Sequence, residues 1–271
     1  MWSKISVSGR LGVLMTIEEI KEKIKTDSAY EFLRTDSHLG DNICLLYLSG
    51  SYAYGTNVED SDIDLRGVAL NSKNEILLGQ DFKSVTYGKT DTTIYSFKKM
   101  IKMLCSNTPT AIEIFGLKPE HILYANSIGK ELLTKQDMFL TKRVGPAFYG
   151  YIKDSLKLLE SEKCLNDKAK MTKYMVHPVR LYYMIIDILE SQKVVTYREY
   201  EHDVLMEIRN GKWLTGNNKP SKSYMYFMSD YDKVISYLIR EKSNLPNKLN
   251  QVAIDNYVIS VHEKIVKEEI E

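Results

Sequence analysis

Two short apolar runs with a polar segment between them constrain the fold of this chain more than any other feature. The runs are Ile43 to Ser49 and Ile63 to Leu70, and the first is closed by Gly50. Continuous apolar runs of this length, bounded by turn residues, are typical of strands buried on both faces. The sequence therefore predicts two neighbouring buried strands joined by a polar connection.

Further elements are predicted on both sides of this pair. Thr16 with Glu19 forms a capping-box pattern that begins a helix extending to about Lys25. Short strands are expected near Glu75 to Leu78 and at Thr92 to Ser96, and helical spacing follows from Phe97 to Asn107. This order of helix, strands and helix predicts an α/β or α+β fold for the first part of the chain.

Helical periodicity dominates from about Pro119 onward, and the boundary between the two halves is placed in the polar stretch near 125–140. We therefore predict two domains, 1–130 and 131–271, of which the second is helical. The predicted helices of that half are Phe148 to Leu159, Lys170 to Leu189, Tyr200 to Ile208, Tyr231 to Ile239 and Val252 to Val266.

Composition excludes several classes of protein. The 271 residues carry a net charge of +1, so any contact with nucleic acid must come from a local patch. No apolar run approaches the roughly 20 residues that span a bilayer, and the first residues do not form a secretory signal. The lack of such a run predicts a protein without membrane contact. Cys44, Cys105 and Cys164 are far apart in sequence and odd in number, which favours free thiols and a cytoplasmic location.

The polar segment between the two predicted strands carries the residues that could bind a ligand or take part in catalysis. Asp62 and Asp64 are two positions apart on a predicted strand, so both carboxylates project from one face. Their repulsion calls for a hard divalent cation, Mg²⁺ or Mn²⁺. Gly50 permits close approach of a ligand to the backbone, and Ser51 offers a hydroxyl and N–H groups to phosphate oxygens. A phosphate site beside a metal site indicates a nucleoside triphosphate.

Two common motifs fail on spacing. Gly50 and Gly55 match the start of a P-loop, but Thr56 stands where the phosphate-binding lysine is required. Asp60, Asp62 and Asp64 match the first ligands of an EF-hand, but Leu65 replaces the turn glycine. Neither a P-loop nor a calcium loop is therefore predicted.

Gly50-Ser51 followed by Asp62-x-Asp64 resembles the signature of the DNA polymerase β-like nucleotidyltransferase superfamily. Within it, the chain looks most like the nucleotidyltransferases of bacteria and phages associated with RNA repair. The resemblance covers about residues 40–117 and extends weakly into the helical half. It rests further on Tyr95 to Leu104, Asn107-x-Pro109, Glu113, Lys173 to Leu181 and Ile208-Arg209-x-Gly211.

The resemblance implies an α+β fold, with a nucleotidyltransferase domain built on a mixed sheet and a helical domain after it. It also implies a third carboxylate on a neighbouring strand, and Asp91 is the best match, although Asp91 could instead cap a turn. Asp60 is a competing ligand in a turn. Asp62, Asp64 and Asp91 would then bind the metal and catalyse transfer from an NTP to an acceptor hydroxyl, with Asp91 also able to take the proton.

Several basic residues have two interpretations each. Arg66 is expected either to hold a phosphate or to pair with a carboxylate. Lys173, His177 and Arg180 share one helix face, which either lines the site for the triphosphate or an RNA backbone, or is merely solvated. An RNA end is slightly favoured as acceptor. The alternative function is a non-catalytic nucleotide-binding or regulatory module, such as an antitoxin-like partner.

Overall fold

A five-stranded mixed sheet forms the first part of the chain in the computed structural model, which describes residues 14–59 and 61–267. The first thirteen residues and the predicted turn residue Asp60 lie outside the described residues. The strand order is β3-β4-β2-β1-β5; β2 and β4 are parallel, and the other neighbours are antiparallel. The strands are β1 Ile43–Leu48, β2 Leu65–Ala69, β3 Ser84–Tyr87, β4 Thr92–Ser96 and β5 Ile122–Ala125.

Strand β1 lies between two hydrophobic clusters, which explains why its apolar run is unbroken. Cys44, Leu45 and Tyr47 face the larger cluster, whereas Ile43, Leu46 and Leu48 face a smaller one formed with α1 and α2. All six strand residues are buried. The strand prediction from the apolar run is therefore confirmed.

Fifteen α-helices surround and extend the sheet within the described residues. The first eight are α1 Ile17–Thr26, α2 Phe32–Thr35, α3 Gly50–Tyr54, α4 Lys73–Leu77, α5 Phe97–Cys105, α6 Pro109–Ile112, α7 Ser127–Leu133 and α8 Gln136–Phe139. The remaining seven are α9 Val144–Leu158, α10 Glu162–Leu165, α11 Lys168–Ser191, α12 His202–Arg209, α13 Lys222–Phe227, α14 Tyr231–Glu241 and α15 Gln251–Lys267. The predicted fold class, an α+β domain followed by a helical region, is confirmed.

Two local predictions are wrong. The segment near Glu75 to Leu78 is helix α4 rather than a strand, because Ser72 and Glu75 form a reciprocal capping box that starts a helix. The strand in this region is β3, a largely exposed edge strand. Strand β5 was expected to be helical; it pairs with β1 at the other edge of the sheet. Such short, half-exposed edge strands carry little hydrophobic pattern.

The larger hydrophobic cluster continues from the sheet into the helical half. Phe97 and Leu104 of α5 belong to the same cluster as Phe148 of α9 and Val179 of α11. The two halves thus share one core, and the boundary near 125–140 remains a prediction. Within the described part of the chain, no helix combines the length and apolar character needed to span a bilayer.

All three cysteines are free thiols. Cys44 and Cys164 are buried and Cys105 is partly buried. Burial raises the pKa of Cys44 to about 12 and also raises the pKa of Cys105. Because the thiolate is the reactive form, Cys44 is an inert packing residue, as its apolar context predicts.

Candidate active site

Three segments meet at one edge of the sheet, where β1 ends and β2 and β4 begin. The Ser49 N–H donates to the carbonyl of Asp64 at 2.9 Å, which joins the end of β1 to the start of β2. The Leu65 N–H donates to the carbonyl of Asp91 at 3.2 Å, and Leu65 pairs with Thr92 in parallel register. Residues far apart in sequence are thereby held side by side.

Asp62 and Asp64 are arranged as the sequence predicts, although β2 begins only at Leu65. Ile63 and Leu65 are buried, whereas Asp62 is exposed and Asp64 is half-buried. This alternation means that the two carboxylates leave the chain on the side opposite the core. The site therefore offers a carboxylate pair to the cleft.

Gly50 lies directly against the Asp64 carboxylate. Its φ is +60°, and a Cβ atom built there would lie 1.8 Å from Asp64 Oδ2. No side chain fits in that space, so only glycine allows the backbone of α3 to approach the carboxylate. Ser51, the next residue, is partly buried and lines the same cleft.

Asp64 is electrostatically unusual. Burial raises the pKa of its carboxyl above the ordinary value of 3.8; the Lys173 and Arg66 cations oppose this rise, and the Asp91 and Asp62 carboxylates add to it. The described residues donate no hydrogen bond to this carboxylate. A cation placed beside Asp64 would relieve both the burial and the repulsion.

A cleft of about 640 Å³ opens between the sheet edge and the helical half. We call it the main cleft. Its wall on the sheet side is formed by Gly50, Ser51, Tyr54, Thr56, Ser61, Asp62 and Asp64. Its wall on the helical side is formed by Ser155, Leu158, Asp167, Ala169, Lys170, Lys173, Tyr174, Val176, His177, Arg180 and Arg209.

The main cleft brings together seven of the nine residues that the sequence singled out. Gly50, Ser51, Asp62 and Asp64 face the predicted helix residues Lys173, His177 and Arg180. The other two, Arg66 and Asp91, adjoin Asp64 but do not line the main cleft.

The shared helix face of Lys173, His177 and Arg180 is not a solvated stripe, so that interpretation is wrong. Lys173 is exposed, but Arg180 is fully buried. Arg180 Nη2 lies 2.7 Å from Glu113 Oε1, and the guanidinium carbon stands 3.5 Å from the centre of the Tyr54 ring. The Tyr54 hydroxyl donates to Glu113 Oε2 at 3.0 Å.

This buried network fixes the charge states in the wall of the main cleft. Burial alone would lower the pKa of Arg180, but Glu113 and Tyr54 raise it above its ordinary value, so the guanidinium stays charged. The Nδ1 atom of His177 lies 3.4 Å from Nη2 of Arg180. Burial and the Arg180 cation lower the pKa of His177 from 6.5 to about 3, so this imidazole is neutral near pH 7.

Arg66 forms no ion pair with a carboxylate of the described residues, and its contact with a phosphate stays a prediction. Its Nη1 atom donates to the carbonyls of Leu65 and Asp91, at 2.9 and 2.8 Å. These bonds tie the start of β4 to β2. Asp91 has the left-handed backbone conformation, with φ at +43°, which is uncommon outside glycine. Arg66 and the parallel strand pairing together hold Asp91 in place.

The donor set beside Gly50 fits a hard divalent cation in its chemistry, because carboxylate oxygens are the ligands that Mg²⁺ and Mn²⁺ prefer. The half-buried Asp64 carboxylate, with its raised pKa and no hydrogen-bond donor among the described residues, is consistent with such a ligand. Among residues 14–59 and 61–267, no three His, Cys, Asp or Glu side chains are close enough to hold a metal ion.

Asp167 and Tyr174 are among the residues of the main cleft that sequence reasoning did not assign to the site. Asp167 caps α11 by accepting a hydrogen bond from the Lys170 N–H. An acidic residue before a helix is a recognisable capping signal, but nothing local indicates that it borders a cleft. Tyr174 lies within the Lys173 to Leu181 stretch of α11 that resembles the family, but nothing in that stretch assigns this residue a role of its own.

A comparison of the sequence with protein-family models identifies the family of this chain. The model of RlaP, the RNA repair pathway DNA polymerase beta family, matches residues 20–208. The chain belongs to this family. The matched range includes all the lining residues of the main cleft except Arg209. The resemblance inferred from the Gly-Ser and Asp-x-Asp motifs is therefore confirmed for the RNA repair pathway DNA polymerase beta family. No curated protein matches the chain.

Proposed function

We propose that this protein is a metal-dependent nucleotidyltransferase that transfers a nucleoside monophosphate from an NTP to a hydroxyl at an RNA end. One observation carries the proposal: the Asp64 carboxylate lies against the bare backbone of Gly50 in a cleft whose other wall bears Lys173. Membership in the RNA repair pathway DNA polymerase beta family supports this assignment.

The chain's own residues have distinct tasks in this proposal. Ser51 and the Lys173 ammonium bind phosphate oxygens of the NTP, because both line the main cleft. Arg66 orients Asp91 through the main chain. Asp91 accepts the proton of the acceptor hydroxyl, whose oxygen bonds to the α-phosphorus as the bond to the β-phosphate oxygen breaks and pyrophosphate leaves.

Asp62 and Asp64, with Asp91 adjoining them, are the residues that would hold Mg²⁺ or Mn²⁺. When bound, the divalent ion neutralises phosphate charge and lowers the pKa of the attacking hydroxyl. The acceptor is proposed as RNA because the chain belongs to the RNA repair pathway DNA polymerase beta family.

A second candidate function is nucleotide binding without transfer. The observation that favours it is the separation of the three carboxylates: the described residues include no group of three acidic side chains that could hold a metal. In this case Asp62 and Asp64 would still bind a cation and an NTP, but Asp91 would serve only as a turn residue.

The test combines binding and transfer. Each α-labelled NTP is incubated with the protein, Mg²⁺ or Mn²⁺ and a single-stranded RNA, and the RNA is examined for added label. Calorimetry measures NTP binding with and without Mg²⁺. Asp64→Asn should abolish transfer and the Mg²⁺-dependent part of binding, because a nearly isosteric amide removes the charge.

The matched control is Asp41→Asn, an exposed aspartate outside the main cleft, which should behave as wild type. Metal-dependent NTP binding without transfer to any RNA would favour the second candidate. Equal Mg²⁺-dependent binding by wild type and Asp64→Asn would reject both.

A further inference from the structure

A second cleft lies on the other side of helix α9 and has a volume of about 590 Å³. Lys153, Leu156 and Lys157 of α9 line it, whereas Ser155 and Leu158 of the same helix line the main cleft. At roughly 100° of rotation per residue, these two sets project from opposite faces of α9. Only the width of one helix, about 10 Å, therefore separates the two clefts.

The second cleft is basic at its rim. Lys153, Lys157 and Lys219 border it, and Glu160 is the acidic residue among its lining residues. Lys153 and Lys219 form no ion pair with the described residues. Lys157 pairs with Asp154 at 3.4 Å, but both side chains are exposed and the pair is weak. This local excess of positive charge contrasts with the net charge of +1 for the whole chain.

Apart from its charged residues, the second cleft is lined by apolar side chains and one tyrosine. Leu156 and Leu165 lie among its lining residues, together with Tyr231. Tyr231 stacks on Tyr149 with ring centres 5.5 Å apart, and Lys153 Nζ lies 5.8 Å from the centre of the Tyr149 ring. Lysines that follow a phosphate backbone beside aromatic rings that stack on bases are the general means of binding single-stranded nucleic acid.

We propose that the second cleft binds the single-stranded segment of the acceptor RNA, whose end then reaches the main cleft across α9. This rests on the proposed function for the choice of RNA. The charge of the rim complements a phosphate backbone, and Tyr231, which is held by its stack on Tyr149, provides an aromatic ring for a base. The buried Arg180 offers no such exposed contact, since it is paired with Glu113.

The experiment measures binding of a fluorescein-labelled 12-nucleotide single-stranded RNA to the full chain by fluorescence anisotropy, without NTP or divalent cation, over a range of salt concentrations. The test variant carries Lys153→Gln, Lys157→Gln and Lys219→Gln. Its affinity should fall about tenfold or more at low salt. The slope of log affinity against log salt should flatten by about 2, because about 0.7 counterions are released per phosphate neutralised on single strands.

The matched control carries Lys23→Gln, Lys25→Gln and Lys130→Gln, three exposed lysines that line neither cleft. It should bind the RNA as wild type does. A second variant, Tyr231→Leu, should weaken binding by about tenfold with an unchanged salt slope, since base stacking is lost and no charge is removed. Thermal melting checks that each variant is folded.

Three results would overturn the proposal: no RNA binding by wild type at low salt, equal loss of affinity in the test and control variants, or equally effective competition by polyglutamate and unlabelled RNA. The last would indicate an acidic protein partner. Calorimetric measurement of NTP binding distinguishes failure of the RNA-binding proposal from failure of the proposed nucleotidyltransferase function. RNA binding that depends on the three lysines, in a protein that binds no NTP, would uphold the second cleft and reject the nucleotidyltransferase.

Discussion

Arg180 and Glu113 form an ion pair that is closed to solvent: their side chains are 0% and 6% exposed, and the paired atoms lie 2.7 Å apart. Glu113 directly follows helix α6, whereas Arg180 is in the middle of α11. Tyr54, the last residue of α3, packs on Arg180 and donates to Glu113. The pair therefore fixes α3, which carries Gly50 and Ser51, relative to the helix that carries Lys173.

Glu113→Gln should destabilise the protein by about 3–5 kcal/mol, because it leaves the Arg180 cation buried without its counter-charge. The free energy of unfolding in urea measures the effect. The matched control is Asp154→Asn, which breaks the exposed pair with Lys157 and should cost less than about 1 kcal/mol. Equal small losses for both variants would show that the buried pair is not a structural requirement.

Gly50→Ala should abolish NTP binding and destabilise the fold, since its methyl group would collide with the Asp64 carboxylate. Gly79→Ala is a suitable control because Gly79 also has a positive φ, +68°, and no atom within 4 Å of the added Cβ. The control should lose only about 1–2 kcal/mol from backbone strain. Calorimetry and urea unfolding compare the two; similar NTP binding by both would contradict a close approach at Gly50.

Ser51→Ala should weaken NTP binding by about 1.5–3 kcal/mol, the contribution of a hydrogen bond to a charged group. The described residues make no hydrogen bond with the Ser51 hydroxyl, which leaves it available to a ligand in the main cleft. Calorimetric titration with NTP and Mg²⁺ checks this value. An unchanged affinity would reduce Gly50-Ser51 to a turn with no phosphate contact.

Asp91→Asn tests whether this residue is the third carboxylate. Asparagine tolerates the left-handed conformation, so the turn and the hydrogen bonds to its carbonyl should persist. The rate of nucleotide transfer should fall about 100-fold or more, because the general base is removed. NTP binding should change far less than in Asp64→Asn. An unaltered transfer rate would mean that Asp91 has only a turn role.

The core of the candidate site could be predicted because its signals are local. Gly50, Ser51, Asp62 and Asp64 lie within fifteen positions, and alternation along an extended segment is enough to place both carboxylates on one side. The role of Arg180 could not be predicted in the same way. Its partners, Glu113 and Tyr54, are 67 and 126 positions away in sequence, and only tertiary packing decides whether an arginine on a helix face is exposed or paired.

In the fold, too, elements with a local sequence signal could be predicted, whereas elements that depend on tertiary contacts could not. The buried strands β1 and β2 and the long helices α11 and α15 have strong hydrophobic patterns, and each was predicted within a few residues. The edge strands β3 and β5 depend on pairing with a neighbour rather than on their own sequence. The helix α4 was missed because the Ser72 and Glu75 capping signal outweighs the apolar residues that suggested a strand.

His177 gives the protein a pH dependence of stability that can be assigned to one side chain. Burial and the Arg180 cation lower its pKa from 6.5 to about 3, so in this range the unfolded chain binds more protons than the native one. The contribution of neutral His177 to the free energy of unfolding is therefore fully present above pH 6.5 and is lost as the pH falls toward 3. The free energy of unfolding should decrease by up to about 1.4 kcal/mol per pH unit from His177 alone.

His177→Gln isolates this contribution, since glutamine stays neutral at every pH and the titrating carboxylates are the same in both proteins. Urea unfolding between pH 7.5 and 4.5 should give two curves with a constant difference above pH 7. Below pH 6.5 the wild type should lose stability more steeply than the variant, so the curves converge or cross. Parallel curves over the whole range would show that the imidazole beside Arg180 can be protonated in the native state at little cost, and that the wall of the main cleft is open to water.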